Sequence, residues 1–172
     1  MNKLPLDYIA GLIDADGSFS ISLSDRRYKG NALTVHATVN VRQLEKYRPV
    51  LEDILETLGL GKIYQHGDKM ATWQTVKMGD AVKVAKILYP HLHVKKEICK
   101  NFFTILEELS GKDFNHHSSR NKHQLTRPRW LIEKMMDVAM NLNAGQQTKT
   151  AYENKRKRVE AMKARIAKFY KV

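Results

Sequence analysis

The chain has 172 residues, 42% of them hydrophobic, with one cysteine and a net charge of +12. That length supports one good core with an appended helical segment, the lone Cys99 excludes an internal disulfide framework or a cysteine-rich zinc site, and no apolar run reaches the roughly 20 residues of a membrane span. The charge is uneven, with 15 Lys/Arg against 13 Asp/Glu over residues 1–110 and 15 against 5 over residues 111–172, so a polyanionic partner would meet the tail first.

The first predicted element is a helix ending near Asp16. Pro5 and Asp7 suit its first turn. Ile9, Leu12 and Ile13 share an apolar face, and Gly17 is expected to stop the helix in the left-handed conformation. Gly11 and Ala15, four apart, leave a second stripe almost bare of side chain, where another helix backbone can approach closely. Asp14 and Asp16 break a local rule, because the helix dipole disfavours a carboxylate at this end by roughly 0.3–1 kcal/mol. A divalent cation would compensate, since Mg²⁺ is held by one or two carboxylates plus water and phosphate oxygens. An EF-hand calcium loop starting at Asp14 is excluded: its sixth and twelfth positions are Phe19 and Asp25, where that loop needs Gly and Glu.

Residues 18–24 alternate strictly, with Phe19, Ile21 and Leu23 on one face and serines on the other, the period of a half-buried strand. A basic turn is expected over residues 26–31, then a second strand with Leu33, Val35, Ala37, Val39 and Val41 inward. Residues 44–58 read as a helix with Val50, Leu51, Ile54, Leu55 and Leu58 as its stripe; Pro49 places the regular part from about Arg48. A second hairpin follows over residues 63–66 and 71–76, with Trp73 facing the core. Helices are expected at about 80–88 and 94–109, separated by Tyr89-Pro90 and closed by Gly111. Beyond a polar stretch over residues 112–126, Pro128 starts a helix to about Leu142, Asn143-Ala144-Gly145 breaks it, and a basic helix runs over about 150–170. This order makes an α+β fold, a four-stranded antiparallel sheet with one face packed by helices and one open. We divide it into a core over residues 1–111 and a basic helical extension, residues 112–172, packed on the same domain.

The open face is expected to carry Ser20, Ser22, Ser24, Arg26, Thr34, His36, Thr38, Asn40, Tyr64, His66, Thr72 and Gln74. These side chains are mostly uncharged hydrogen-bonding groups, and a two-stranded ribbon fits the major groove, where base edges expose distinct donor and acceptor patterns. Lys149, Lys155, Arg156, Lys157 and Arg158 keep one sign along the last helix and suit phosphates. His91, His93, His116, His117 and His123 fit no zinc spacing and read as solvated.

Residues 9–17, Ile-Ala-Gly-Leu-Ile-Asp-Ala-Asp-Gly, closely resemble the signature of the LAGLIDADG homing endonucleases, agreeing at eight of nine positions. The resemblance extends over most of residues 4–110 and implies the αββαββα arrangement. It implies a metal ligand at Asp16, assisted by the Ala15 carbonyl, a water-orienting Gln43, and Lys95 as a basic residue near the scissile phosphate. The arginine that some relatives carry at the start of the second helix has no clean counterpart; Tyr47 stands there, between Lys46 and Arg48. Single-motif members are homodimers, so Gly11 and Ala15 would lie at the interface of two copies. The function implied is Mg²⁺-dependent cleavage of double-stranded DNA at a long pseudo-palindromic site, in intron or intein homing. The alternatives are an RNA maturase and a nuclease-inactive DNA-binding regulator. No signal peptide or lipidation motif is visible, so an intracellular protein is expected, with no membrane partner and no small-molecule substrate.

Overall fold

The computed structural model describes residues 3–26, 32–67, 69–110, 133, 136–138, 140 and 149–169. Helix α1 (Leu6–Asp16) runs directly into strand β1 (Gly17–Arg26), which pairs with β2 (Ala32–Leu44). One 3₁₀ turn (Glu45–Tyr47) leads into α2 (Arg48–Leu58), and β3 (Lys62–His66) and β4 (Met70–Gln74) form the second hairpin. Then come α3 (Met78–Leu88), a 3₁₀ turn (Tyr89–His91), α4 (Lys96–Ser110) and α5 (Lys149–Phe169). The sheet order is β1-β2-β4-β3, every neighbouring pair antiparallel. The expected α+β class and αββαββα order are what the chain adopts.

The alternating residues sort as their period requires. Phe19, Ile21, Ala37, Val39, Val41, Ala71 and Trp73 are buried under the helices, together with Ile9 and Ile13 of α1, Leu51 and Ile54 of α2, Val84 and Leu88 of α3, and Phe102 and Leu106 of α4. Phe19 and Phe102 join sheet to helix with ring centroids 5.4 Å apart. Trp73 donates its indole N–H to the Leu60 carbonyl at 3.0 Å. Gly61 passes so close beneath it, at φ +100°, that a Cβ would lie 2.7 Å from the indole nitrogen. In α5, Tyr152, Val159, Lys163 and Ala167 form a half-buried stripe amid exposed residues. Val159 packs against the main core, as do Met136 and Val138 of the helical residues before it.

Gly17 departs from expectation. Its φ of −84° and ψ of 170° are extended backbone, not left-handed. Glycine is needed here for a different reason: a Cβ would lie 2.7 Å from the Ile13 Cα and 3.0 Å from the Asn40 carbonyl oxygen. The helix therefore stops by feeding straight into a strand packed on its own last turn. Of the turn expected over residues 26–31, Arg26 is the last residue of β1; residues 27–31, the loop at 112–126, the Gly111 stop, the break at 143–145 and most of the 128–142 helix lie outside the described residues.

Candidate active site and nucleic-acid interface

Helix α1 ends at the same edge of the molecule as strand β2, because Gly17 pairs with Val41 at the start of the β1–β2 ladder. This register brings Asp16 and Gln43 together across 27 residues of sequence. The Gln43 side-chain amide donates to Asp16 Oδ2 at 2.7 Å, with Asp16 exposed. Of the residues that the resemblance puts at the chemistry, these two meet.

Asp14 answers its misplaced charge by a route the sequence did not show. Its carboxylate accepts backbone N–H groups from His93 at 2.8 Å, Val94 at 3.1 Å and Lys95 at 2.8 Å. Burial pushes its pKa up, but these three hydrogen bonds and the Lys95 charge outweigh that and hold it below the ordinary carboxylate value. The N–H groups leading into α4, together with the Lys95 charge, thus compensate Asp14.

Lys95, which the resemblance puts near the scissile phosphate, is 1% exposed. Its ammonium donates to the carbonyls of Ile13 at 2.8 Å and Gly17 at 2.7 Å. Burial lowers its pKa from the usual lysine value, opposed by the charges of Asp14 and Asp16. His91 also finds a partner where a solvated ring was expected: its Nδ1 lies 2.6 Å from Asp7 Oδ1. At the start of α2, Arg48 is bound by Glu45 at 3.0 Å and Glu52 at 2.9 Å, hydrogen bonds that raise its pKa. Tyr47 stays exposed, with the Lys46 ammonium 4.8 Å from its ring centroid.

On the open face, register sets side chains in rows across the strands. Ser18, Asn40, Gln74 and Lys62 form one row spanning all four, and Arg42, Thr72 and Tyr64 the next. Ser22, His36, Tyr64 and His66 are exposed; Ser20, Thr38, Asn40 and Gln74 are half-buried. Ser18 donates to Asn40 at 3.2 Å and Ser20 lies 2.7 Å from Thr38, so cross-strand pairs orient the polar groups. Thr72, only 7% exposed, sits between the longer Arg42 and Tyr64 and is shielded. The side chains of Ser24, Arg26, Thr34 and Lys155 lie outside the described residues. Arg42 and Lys62 share this face and were passed over as contacts. Strand parity places Arg42 beside Asn40 and Lys62 in step with Tyr64 and His66, and the register sets Lys62 opposite Gln74.

Gly11, Ala15 and Tyr8 form an exposed stripe on α1, and a Cβ on Gly11 would meet nothing within 4 Å. Lys149, Arg156, Lys157 and Arg158 are exposed on α5. No group of three or more His, Cys, Asp or Glu side chains that could hold a metal occurs among the described residues. No helix among them is long and apolar enough to cross a membrane.

An antiparallel sheet with a polar open face is backed by helices, and an exposed carboxylate–amide pair lies at its end. Residues 9–108 match the LAGLIDADG endonuclease family, and the chain belongs to it. Among curated proteins it is 28% identical over 104 residues, 60% of this chain, to the probable intron-encoded DNA endonuclease 1 of Mycosarcoma maydis. It spans 36% of that protein's length. The crystal structure of the homing endonuclease I-TnaI superposes with a TM-score of 0.69 at 20% identity, covering 92% of this chain and 99% of that one. I-CvuI, solved in complex with its target in the presence of 2 mM Ca, gives 0.65 at 18% identity, covering 90% and 94%.

Proposed function

We propose that the chain acts as a homodimeric, divalent-metal-dependent endonuclease that hydrolyses both strands of double-stranded DNA at a long pseudo-palindromic site, in intron homing. The observation that carries this reading is the exposed Asp16–Gln43 pair at the end of α1, beside the open Gly11/Ala15 stripe. Asp7 lies at the other end of α1 against His91 and Asp14 is committed to the N–H groups of residues 93–95, so Asp16 is the acidic side chain that the last turn of α1 can offer a cation. One carboxylate is a thin site. Two copies packed along the bare stripe would bring two Asp16 side chains together, and a two-fold dimer makes such a self-complementary contact.

The donor set fits a hard cation. Asp16 and the Ala15 carbonyl supply oxygen only, the preference of Mg²⁺, with its other positions left to water and phosphate. Bound there, such a cation would supply water activation and charge neutralisation at the phosphate. Gln43 steers the Asp16 carboxylate through its N–H, and its amide oxygen is available to orient a water. Lys95 supports the helix end from beneath. The open face reads base edges through Asn40, Gln74, Ser22, His36, Tyr64 and His66, with Arg42 and Lys62 added, while α5 contacts phosphates.

Asp16→Asn tests the assignment. It removes the ligand charge at nearly constant size, so cleavage should fall by roughly three orders of magnitude, about 4 kcal/mol of transition-state stabilisation. DNA affinity should hold. Undiminished cutting by the folded variant would overturn the role of Asp16, and tight binding of intron RNA by a parent that never cuts DNA would favour the maturase.

A further inference from the structure

We infer that Asp14 and Lys95 form a reciprocal clasp between the end of α1 and the start of α4, and that this clasp positions Asp16 against Gln43. The inference rests on Asp16 as the reactive carboxylate, as proposed above. Lys95 is the N-cap residue of α4, since its carbonyl accepts the Cys99 N–H at 2.8 Å. An N-cap usually carries Ser, Thr, Asp or Asn, whose own side chain satisfies the first N–H groups. Lysine has no acceptor, and the carboxylate comes instead from Asp14, 81 residues away. In return the lysine side chain crosses to the carbonyls of Ile13 and Gly17. Asp14 takes the N–H groups of residues 93–95 that lead into α4, and Lys95 takes carbonyls on either side of the last turn of α1, an anion near a positive helix end and a cation near a negative one.

The placement of those bonds gives the clasp its consequence. Ile13 and Gly17 bracket the acidic turn, so one ammonium holds it from both sides while Asp14 ties its middle to α4. Asp16 itself is exposed and hydrogen-bonded to Gln43. A reacting group must be held to within about 0.5 Å by neighbours that are themselves fixed. Burying an ammonium is costly, and an apolar side chain of similar length would serve packing better. What the lysine adds is a defined position for the turn. Asp14 and Lys95 are thus positioning residues.

Hydrogen exchange and side-chain amide NMR on the full chain, without DNA or metal, test this independently of cleavage. Asp14→Asn and Lys95→Met should each speed exchange about tenfold at both helix ends, residues 13–17 and 93–99. Each should also broaden or shift the Gln43 side-chain amide signals, and the double variant should be no worse than the worse single one. Single-turnover cutting should fall at least tenfold at unchanged DNA affinity. Exchange that rises only in the helix whose own cap was removed, additive effects, or an unmoved Gln43 amide would overturn the clasp. So would a Lys95→Met protein whose main defect is weaker DNA binding. If Lys95→Met does not fold, Asp14→Asn decides alone, because its effect must reach residues 13–17. A parent that cuts no DNA but shows the coupled exchange would refute the endonuclease reading and leave the clasp standing.

Discussion

At the last turn of α1 a carboxylate meets the negative end of the helix dipole twice, and different groups relieve each. Asp14 takes three backbone N–H donors from residues 93–95, whereas exposed Asp16 takes the Gln43 amide. Gly17 allows the close approach to β2, since its missing Cβ lets the turn lie against Asn40. Gly17→Ala should cost about 1–3 kcal/mol, the range for overpacking against backbone that cannot yield, read as a lower denaturation midpoint with unchanged m-value. Cys99 is buried, its Sγ 3.3 Å from the Ala85 carbonyl, and burial pushes the thiol up to about 12. The folded thiol therefore resists ionisation that the unfolded one undergoes from 9.0. Its contribution is complete below that value and is lost as pH rises toward about 12. Compared with Cys99→Ala, the parent should lose extra stability in alkaline denaturation series, and a thiol reagent should label native protein only as fast as it opens.

Among the elements, the proposed function divides the work of binding between α5 and the sheet by chemistry. The open face carries cross-strand polar rows set by register, and α5 carries exposed Arg156, Lys157 and Arg158, one of them within 3.6 Å of Glu160. Each phosphate neutralised releases condensed counterions, at a slope of roughly −0.9 in log affinity per log salt. Replacing Lys155, Arg156, Lys157 and Arg158 by alanine should weaken binding to every sequence alike. The salt slope should flatten by up to about 3–4 per subunit, with discrimination among sites preserved. A titration at several salt concentrations checks it, and an unchanged slope would mean the run is only a solvated face.

The molecule as a whole offers one motif helix, and its exposed stripe of Tyr8, Gly11 and Ala15 leaves room that a second copy would fill. Helix axes approach to about 8–10 Å depending on the side chains between them, so in the proposed dimer small residues would set the separation of the two Asp16 carboxylates. Gly11→Leu should raise the dimer dissociation constant at least a hundredfold, about 2.7 kcal/mol, without unfolding the protomer. Sedimentation equilibrium measures this. A variant that stayed a tight dimer would move the interface elsewhere.

The sequence by itself determined the order of the described elements, the inward set as far as it is described and Asp16 as the residue to watch, because these follow from periodicity and from a charge in the wrong place on a local helix. Phe19, Val39, Leu51 and Trp73 are buried as their spacing required. Tertiary structure alone decided the rest. The partner of Asp14 lies about 80 residues away, and no local pattern announces it. Lys95 reads as a surface lysine until the packing of α4 on α1 turns it inward. Gly17 reads as a left-handed stop, and only the strand lying on the helix end shows that it is a close approach. The register of β3 against β4 sets Lys62 opposite Gln74. Periodicity reports which way a side chain points, whereas partners across the fold are set when elements pack and must share their unsatisfied ends.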